Sequence, residues 1–253
     1  MNRLLFTCAY DGLPYCGWQS QRGGCSVQDT IETAMAQILR APIRISASGR
    51  TDAGVHAHAQ CFHADIPEGC RMSPANWVAA LNAHLPADIR IMEAQPVAPD
   101  FHARFDAAGK EYEYLICCAP VLTPFLRGRV WHIPQAFDAA LLAEALRVYE
   151  GEHDFRRFAA NRGNEPAVPP EDFYIRTIYH ATLQEEGELL RLRVHGNGFM
   201  YRMVRLLVGT AHQVARGRMS LPALKEMLDA PQGGKTRYCA PAEGLYLHRV
   251  FYT

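Results

Sequence analysis

The chain has 253 residues, of which 49% are hydrophobic and 21% charged, as in an ordinary soluble globular protein. Lysine plus arginine and aspartate plus glutamate number 26 each, so the formal net charge is zero. These values exclude a disordered chain, a fibre and a coiled coil, and at about 150 residues per domain the length allows one large domain or two small ones. A chain of this length buries roughly 70–75% of the surface that its unfolded form exposes, so it needs neither metal nor disulfide to form a core.

The basic residues are unusual in type and in distribution. Arginine makes up 23 of the 26, and only Lys110, Lys225 and Lys235 are lysines. Arginine forms bidentate hydrogen bonds with phosphate and stacks on bases, which an ammonium group does not do. The segment 189–225 contains six arginines and one lysine but no acidic residue, which indicates a local anion-binding surface. A genome that favours arginine codons explains the same count, so both interpretations stay open.

The cysteines and the N-terminus indicate a reducing compartment. Eight cysteines are too few for a disulfide scaffold of this length, and no two have the C-x-x-C spacing of a zinc site. The N-terminus lacks the apolar core of a secretory signal peptide, and no apolar stretch approaches the roughly 20 residues of a membrane span. We therefore expect a cytoplasmic protein with free thiols and no membrane partner.

In the first half of the chain, the predicted elements follow the order β-α-β-β-α-β. Ser26, with Asp29 three residues later, forms a capping box, and Ser73 precedes a proline of the kind that the first helical turn tolerates. Apolar residues at helical spacing follow Ser26, and Pro42 ends that helix. The predicted elements are a strand over 3–10, a helix from 27 to 39, strands over 43–48 and 55–66, a helix from 74 to 84 and a strand over 89–94.

The second half repeats this order with additions. Asp138 caps a helix that Gly151 ends, and Glu185-Glu186-Gly187 forms the turn of a predicted hairpin. The predicted elements are a strand over 111–116, a helix from 138 to 151, strands over 177–183 and 189–195, a helix from 200 to 216, a short helix after Ser220 and a strand over 245–252. Two such units predict an α+β fold of two ferredoxin-like modules, 1–106 and 107–253, with a largely antiparallel sheet and helices on one side. RNA-recognition modules share that topology.

The richest candidate for chemistry is the segment 48–57, Ser-Gly-Arg-Thr-Asp-Ala-Gly-Val-His-Ala, between two predicted strands. Gly49 and Gly54 permit backbone angles and close approaches that larger residues block. Asp52 is the candidate nucleophile, because carboxylates can form covalent intermediates and a nearby cation keeps a carboxylate ionised. On the residues alone, the simpler interpretation is a hairpin turn in which Asp52 accepts hydrogen bonds from backbone amides.

Residues 49–57 resemble the signature loop of the tRNA pseudouridine synthase A family, and further matches follow in family order along nearly the whole chain. These matches are Tyr10-Asp11-Gly12 with Gly17-Trp18-Gln19, Ser26-Val27-Gln28, Asn82 with Leu85-Pro86, Asp-Phe-His-Ala-Arg-Phe at 100–105, Lys-Glu-Tyr-Glu-Tyr at 110–114, Gly-Glu-His-Asp-Phe at 151–155, Arg176-Thr177-Ile178, Gly-Phe-Met at 198–200 with Met-Val-Arg at 203–205, and Glu-Gly-Leu-Tyr-Leu at 243–247.

The resemblance implies an isomerase that needs neither cofactor nor metal. Such an enzyme detaches uracil from its ribose, rotates the base and reattaches it through carbon, in the anticodon stem-loop of tRNA at positions 38, 39 and 40. The motif match makes Asp52 the catalytic residue, Tyr112 a substrate contact and Arg205 the partner of the catalytic carboxylate. The base must leave its stack before a carboxylate can reach it, and Arg50 is expected to fill the vacated space. Whether Asp52 attacks the base or the ribose stays open.

The resemblance also implies a homodimer and a catalytic cleft between the modules. It implies RNA contacts from six residues, namely Phe101, His102, Ala103, Arg104, Phe105 and Arg202. The chain departs from the family at 161–172, where the family has a short loop, so that loop's RNA contacts are not carried over.

Competing interpretations remain. Without the resemblance, Tyr112 is a core aromatic residue of its strand, and Arg205 lies on a solvated helix face. His56, His58 and His63 suggest a metal site, but on a strand the first two share a face and His63 points to the other, so we expect no metal ligands. The strongest rival is a non-catalytic tRNA-binding protein or chaperone on the same fold, which would keep its function when Asp52 is replaced by alanine.

Overall fold

The computed structural model describes residues 2–161, 163 and 170–253; Arg162 and residues 164–169, in the atypical loop, lie outside the described residues. The strands are β1 (Asn2–Tyr10), β2 (Ile45–Ala47), β3 (His56–Ile66), β4 (Ile89–Pro96), β5 (Ala107–Cys117), β6 (Trp131–His132), β7 (Gly151–Asp154), β8 (Ile175–Glu186), β9 (Leu189–Gly196) and β10 (Leu245–Tyr252). The helices are α1 (Val27–Leu39), α2 (Pro74–His84), α3 (Ala139–Arg147), α4 (Met203–Ala215) and α5 (Leu221–Asp229). This mixed α/β architecture with mainly antiparallel strand pairs confirms the predicted fold class.

The chain divides into two compact units. The first comprises Met1–Ala108 and Tyr246–Thr253, and the second comprises Gly109–Leu245. Chain order places β10 in the predicted module 107–253, whereas nearly all of this strand belongs to the first unit. The reason is a parallel pairing in which Tyr246 and Leu247 lie opposite His56 and Ala57. A sequence pattern gives no sign of such a partner 190 residues away.

In the first unit, the strand order is β4-β1-β3 with two short partners on the remaining edge of β3. The antiparallel partner β2 covers 62–64, and the parallel partner β10 covers 56–57. The order β4-β1-β3-β2 is that of a β-α-β-β-α-β module. It places the connection between β2 and β3 next to the end of β1, where the candidate residues lie.

The helices of the first unit begin where their capping residues predict. The Ser26 hydroxyl accepts a hydrogen bond from the Asp29 amide at 3.0 Å and donates to the Asp29 carboxylate at 2.6 Å. Ser73 caps α2 in the same way, with a proline in the first turn. Both helices cover a core of aromatic rings, in which Phe6 stacks on Phe62 with centroids 5.0 Å apart.

In the second unit, the strand order is β5-β9-β8-β7, and β6 lies parallel to β5. The hairpin of β8 and β9 was predicted, and Gly187 at its turn has a φ of 63°. Helix α4 is buried along most of its length. The buried Tyr149 hydroxyl donates to the carbonyl of Leu207 on this helix at 3.0 Å. These contacts make α4 a rigid support for the basic residues at its start.

The prediction that all cysteines are free thiols is wrong for Cys16 and Cys25, which form a disulfide. The Cys16 amide donates to the Cys25 carbonyl at 2.9 Å, and the two Cα atoms are 5.6 Å apart, within the range that a disulfide spans. Cysteines nine residues apart form no recognised motif, so only the fold of the loop brings them together. The other six cysteines form no disulfide.

None of the helices in the part of the chain that the structure describes is long and apolar enough to cross a membrane.

Candidate active site

The loop between β2 and β3 carries Asp52 and Arg50, and its start is fixed by a buried hydrogen-bond network. The Ser48 amide donates to the Cys61 carbonyl at 2.8 Å, and the Ser48 hydroxyl donates to the Gln60 side chain at 2.7 Å. The Gln60 amide group in turn donates to the Gly49 carbonyl at 3.0 Å. The strand β3 therefore holds the loop through buried polar side chains, which are costly to leave unpaired.

The loop contains the turn that the residues alone predict. The Val55 amide donates to the Asp52 carbonyl at 3.2 Å, and Gly54 has a φ of 76°. Asp52 is half-buried at the start of this turn, and Arg50 is exposed two residues before it. The hairpin-turn interpretation and the nucleophile interpretation of this segment are therefore compatible, because a tight turn can hold the Asp52 carboxylate on a fixed backbone.

The segment that follows β1 packs directly against this loop. The Trp18 amide donates to the Thr51 carbonyl at 3.1 Å, and the Tyr10 hydroxyl lies 2.8 Å from the Thr51 hydroxyl. A Cβ atom at Gly12 would lie 2.0 Å from the Val55 carbonyl oxygen, and one at Gly17 would lie 2.7 Å from the Thr51 carbonyl oxygen. Only glycine permits this approach. Residues before and after Asp52 are therefore held by the 10–18 segment.

His56, the first residue of β3, is buried beside the same segment. Its Nδ1 atom accepts a hydrogen bond from the Gly12 amide at 3.1 Å and lies 3.2 Å from the Asp11 carboxylate. The rings of His56 and His58 both stack on Tyr246 of β10, with centroids 4.6 and 4.9 Å away. His56 and His58 thus share a face, as the strand pattern predicted.

In the second unit, Tyr112 on β5 differs from the core tyrosine two residues later. Tyr112 is half-buried and contacts Phe199 edge to face, with centroids 5.1 Å apart. Tyr114 is 1% exposed and donates its hydroxyl proton to the Pro241 carbonyl at 2.9 Å, and its burial raises the pKa of that phenol. Within its unit, Tyr112 is therefore not a buried core aromatic residue.

Arg205 lies in the first turns of α4 and is tied to the segment that precedes β10. Its Nε atom donates to the Ala240 carbonyl at 2.7 Å, and the Ala240 amide donates to the Arg205 carbonyl at 3.0 Å. This reciprocal pair orients the half-buried guanidinium, which does not belong to a fully solvated face. Arg202 is exposed at the N-cap of the same helix, with its guanidinium 5.0 Å from the Tyr201 ring.

The segment 101–105 forms an exposed aromatic and basic surface, which we call the 101–105 platform. Phe105 is 74% exposed, the His102 ring lies 4.3 Å from it, and the Arg104 guanidinium lies 5.7 Å from its centroid. Phe101 is half-buried against Tyr252. Aromatic and guanidinium faces of this kind are what unstacked bases pack against.

Three side chains hold the backbone of the platform. The Ala103 amide donates to His63 Nδ1 at 3.1 Å, the Tyr252 hydroxyl donates to the Ala103 carbonyl at 2.8 Å, and Arg3 donates to the Phe101 carbonyl at 2.7 Å. Burial, reinforced by the charge of Arg3, lowers the pKa of His63 to about 4, so the ring is neutral and accepts the amide proton near neutral pH. His63 therefore serves this platform. The prediction that it points away from His56 is wrong, because a β-bulge after Ala57 shifts the register: Tyr10 pairs with Ala57 and Cys8 with Gln60, so His56 and His63 lie on the same face of β3.

Some arginines of the acid-free segment 189–225 pair with acidic residues from elsewhere in the chain. Arg191 lies 2.6 Å from the buried Glu113 carboxylate, and Arg193 lies 3.4 Å from it. Hydrogen bonds to Glu186 and then to Glu113 raise the pKa of Arg191. Acids from neighbouring strands thus neutralise the part of the segment in β9, a pairing that the linear sequence does not reveal.

Sequence reasoning identified the loop of Asp52 but assigned no role to Tyr10, Trp18 or Thr51, which lie against or within it. All three fall in matched motifs, which marked their positions without indicating their contacts. Their partners are far away in the chain, and only the fold brings them together.

Comparisons with known proteins agree with this architecture. The family model described as tRNA pseudouridine synthase matches residues 7–106 and 145–253. A protein named tRNA pseudouridine synthase A from Akkermansia muciniphila is 49% identical over 253 residues, which cover 100% of this chain and 96% of that protein. Proteins of the same name from Geobacillus sp. (strain WCH70) and Neisseria gonorrhoeae are 41% and 38% identical, each over 99% of this chain and over 98% and 92% of their own lengths. The chain therefore belongs to the tRNA pseudouridine synthase family.

Proposed function

We propose that this chain converts uridine to pseudouridine in the anticodon stem-loop of tRNA, at positions 38, 39 and 40, with Asp52 as the nucleophile. The observation that supports this proposal most directly is the environment of Asp52. It is a half-buried carboxylate on a tight turn whose neighbouring residues are anchored, in a chain that belongs to the tRNA pseudouridine synthase family. A fixed nucleophile is what covalent catalysis on a bound nucleotide requires.

The proposed reaction is balanced without any co-reactant. The bond between C1′ of the ribose and N1 of uracil breaks, and Asp52 holds one of the two fragments covalently. The base rotates, C5 bonds to C1′, the bond to Asp52 breaks and regenerates the free carboxylate, the proton on C5 is released, and N1 takes up a proton. Because substrate and product are isomers, the reaction consumes no oxidant, nucleotide or metal.

The other site residues keep the roles that their motifs imply. Tyr112 is proposed to contact the flipped uracil, which is consistent with a ring that its own unit leaves half-buried. Arg205 is proposed to keep the catalytic carboxylate ionised, and its bond to Ala240 fixes the orientation that such a charged hydrogen bond needs. Arg50 is exposed beside Asp52 and is proposed to occupy the space that the flipped base leaves.

RNA binding is proposed for the 101–105 platform and for Arg202. Phe105 and His102 offer stacking surfaces, while Arg104 and Arg202 are exposed and can reach phosphates. Contacts of this type position the RNA without reading its sequence. That suits an enzyme that acts on neighbouring uridines in many tRNAs.

A homodimer in the cytoplasm is the proposed state of the enzyme. Val121 and Phe125, between β5 and β6, are 81% and 85% exposed, and such apolar side chains favour a self-complementary contact between two copies. The cytoplasm is proposed because the substrate would be tRNA; the cysteines do not add to this proposal, since Cys16 and Cys25 form a disulfide. A fully active monomer in sedimentation would contradict the dimer.

The experiment that tests the proposed activity maps pseudouridine in unmodified tRNA after incubation with the purified protein and EDTA. We expect product at positions 38, 39 and 40 without added metal or nucleotide. Binding of tRNA without any product would instead favour a tRNA-binding protein or chaperone. Product that appears only when zinc or magnesium is restored would contradict the metal-free reaction.

A further inference from the structure

The last residue of β1 contacts the residue directly before Asp52. Tyr10 and Thr51 are 41 positions apart, and their hydroxyl oxygens lie 2.8 Å from each other. Tyr10 is 5% exposed and Thr51 is 7% exposed, so water does not replace this hydrogen bond easily. Such a buried contact links the sheet to the loop of Asp52.

Thr51 is held at a second point. Its carbonyl accepts the Trp18 amide proton at 3.1 Å, and the Tyr10 ring packs on the Trp18 ring with centroids 5.9 Å apart. Trp18 itself is 1% exposed and packs on Phe62 in the core. The hydroxyl and the carbonyl of Thr51 are therefore both attached to one buried aromatic cluster, which leaves the backbone at Thr51 little freedom to rotate.

We propose that Tyr10 is a positioning residue, which acts through the Thr51 hydroxyl to set the direction of the Asp52 carboxylate. This inference rests on the proposed role of Asp52 as the nucleophile. A displacement of about 1 Å at a reacting group can reduce a rate about a hundredfold. Loss of one hydroxyl at Tyr10 therefore acts mainly on the chemical step, because neither Tyr10 nor Thr51 belongs to the proposed RNA-contacting surface.

The test compares single-turnover rates at saturating tRNA with tRNA dissociation constants. For Tyr10→Phe and for Thr51→Val, we expect the rate to fall about tenfold while the dissociation constant changes less than about twofold. Thr51→Ser keeps the hydroxyl and should stay within about threefold of the wild-type rate. The double variant Y10F/T51V should be no slower than the slower single variant, because both substitutions remove the same hydrogen bond.

Ser73→Ala is the control, because it also removes a hydroxyl hydrogen bond that stabilises the fold, but at the N-cap of α2, which carries no proposed site residue. It should lose stability without losing rate. If Tyr10→Phe does not fold, Thr51→Val and Thr51→Ser carry the test.

The possible failures are distinguishable. A normal rate for Tyr10→Phe and Thr51→Val, with Asp52→Asn inactive, overturns the positioning role and leaves the proposed function intact. Equal rate losses in Ser73→Ala and Tyr10→Phe, or additive losses in the double variant, also overturn it. Normal turnover by Asp52→Asn overturns the proposed nucleophile and the positioning role together.

Discussion

Gly17 lies where the loop of Asp52 and the segment after β1 touch. Its φ is 98°, and a Cβ atom there would lie 2.7 Å from the Thr51 carbonyl oxygen and 3.1 Å from the Ala53 amide. Any side chain at this position combines a strained backbone with displacement of the loop. A side chain at position 17 is therefore expected to displace the loop that carries Asp52.

We expect Gly17→Ala to destabilise the protein by about 3 kcal/mol or more and to lower turnover. Gly23→Ala is the matched control, because Gly23 has a similar φ of 111° but no atom within 4 Å of its Cβ position. That control should cost only about 1 kcal/mol, from backbone strain alone, and should keep normal turnover. Urea denaturation measures the loss of stability of each variant, and product formation measures its turnover. Equal effects of the two substitutions would rule out a specific contact with the loop.

His212 on α4 is a buried ionisable group that the proposed reaction does not use. It is 2% exposed between the rings of Trp131 and Phe137, and neither ring nitrogen has a hydrogen-bond partner among the described residues. Burial, assisted by the charges of Arg216 and Arg218, lowers the pKa of His212 to about 4. The folded state therefore favours the neutral ring.

Because the folded pKa of His212 lies below the unfolded value of about 6.5, its contribution to stability is complete above pH 6.5 and is lost as the pH falls towards 4. Between pH 7.5 and 5, the free energy of unfolding should fall by about 2 kcal/mol from this group alone. His212→Leu should remove that part of the acid sensitivity. Urea denaturation at pH 7.5 and at pH 5 measures the free energy of unfolding of each protein. An unchanged pH dependence of stability in His212→Leu would show that His212 does not cause this acid sensitivity.

At the scale of elements, local signals predicted most helices and strands because each depends on neighbouring residues. Ser26 and Ser73 cap their helices as expected, and β8 and β9 form the predicted hairpin. Strands β6 and β7 were missed, since two and four residues are too few to show an alternating pattern.

The candidate site was predictable only in part. The motif 49–57 indicated Asp52, because its residues are contiguous. The bonds of Tyr10 and Trp18 to Thr51, the Cys16–Cys25 disulfide and the pairing of Arg191 with Glu113 all join residues that are separated in the chain. No local pattern encodes such contacts, so the support of the loop appears only in the folded structure.

Substitutions in the 101–105 platform are expected to weaken tRNA binding. Phe105→Ala removes a side chain that is 74% exposed, so the fold should tolerate it, and tRNA affinity should fall by about 1–3 kcal/mol from lost stacking. The rate at saturating tRNA should change little, because stacking on the platform contributes equally to bound substrate and transition state.

Met92→Ala is the matched control for the platform, because Met92 is also exposed and apolar but lies on β4 outside it. Filter binding of tRNA to both variants measures the difference. Equal affinities for Phe105→Ala, Met92→Ala and the wild type would exclude the platform from RNA binding.

At the scale of the whole molecule, a chain with zero net charge must bind a polyanion through local surfaces. Glu113 and Glu186 neutralise Arg191 and partly Arg193, so the exposed arginines elsewhere, such as Arg104 and Arg202, are the better candidates for phosphate contacts. Binding surfaces of this kind lie apart in sequence from the loop of Asp52. Substitutions on these surfaces should therefore change tRNA affinity, whereas substitutions at the loop of Asp52 should change the rate of the chemical step.

Turnover and tRNA affinity of Asp52→Asn, measured together with the wild type, decide whether Asp52 is the nucleophile. The amide has nearly the same shape as the carboxylate but cannot act as the nucleophile. We expect no detectable pseudouridine from the variant and a tRNA dissociation constant within about threefold of the wild-type value. Residual turnover above about a tenth of the wild-type rate would show that another residue is the nucleophile.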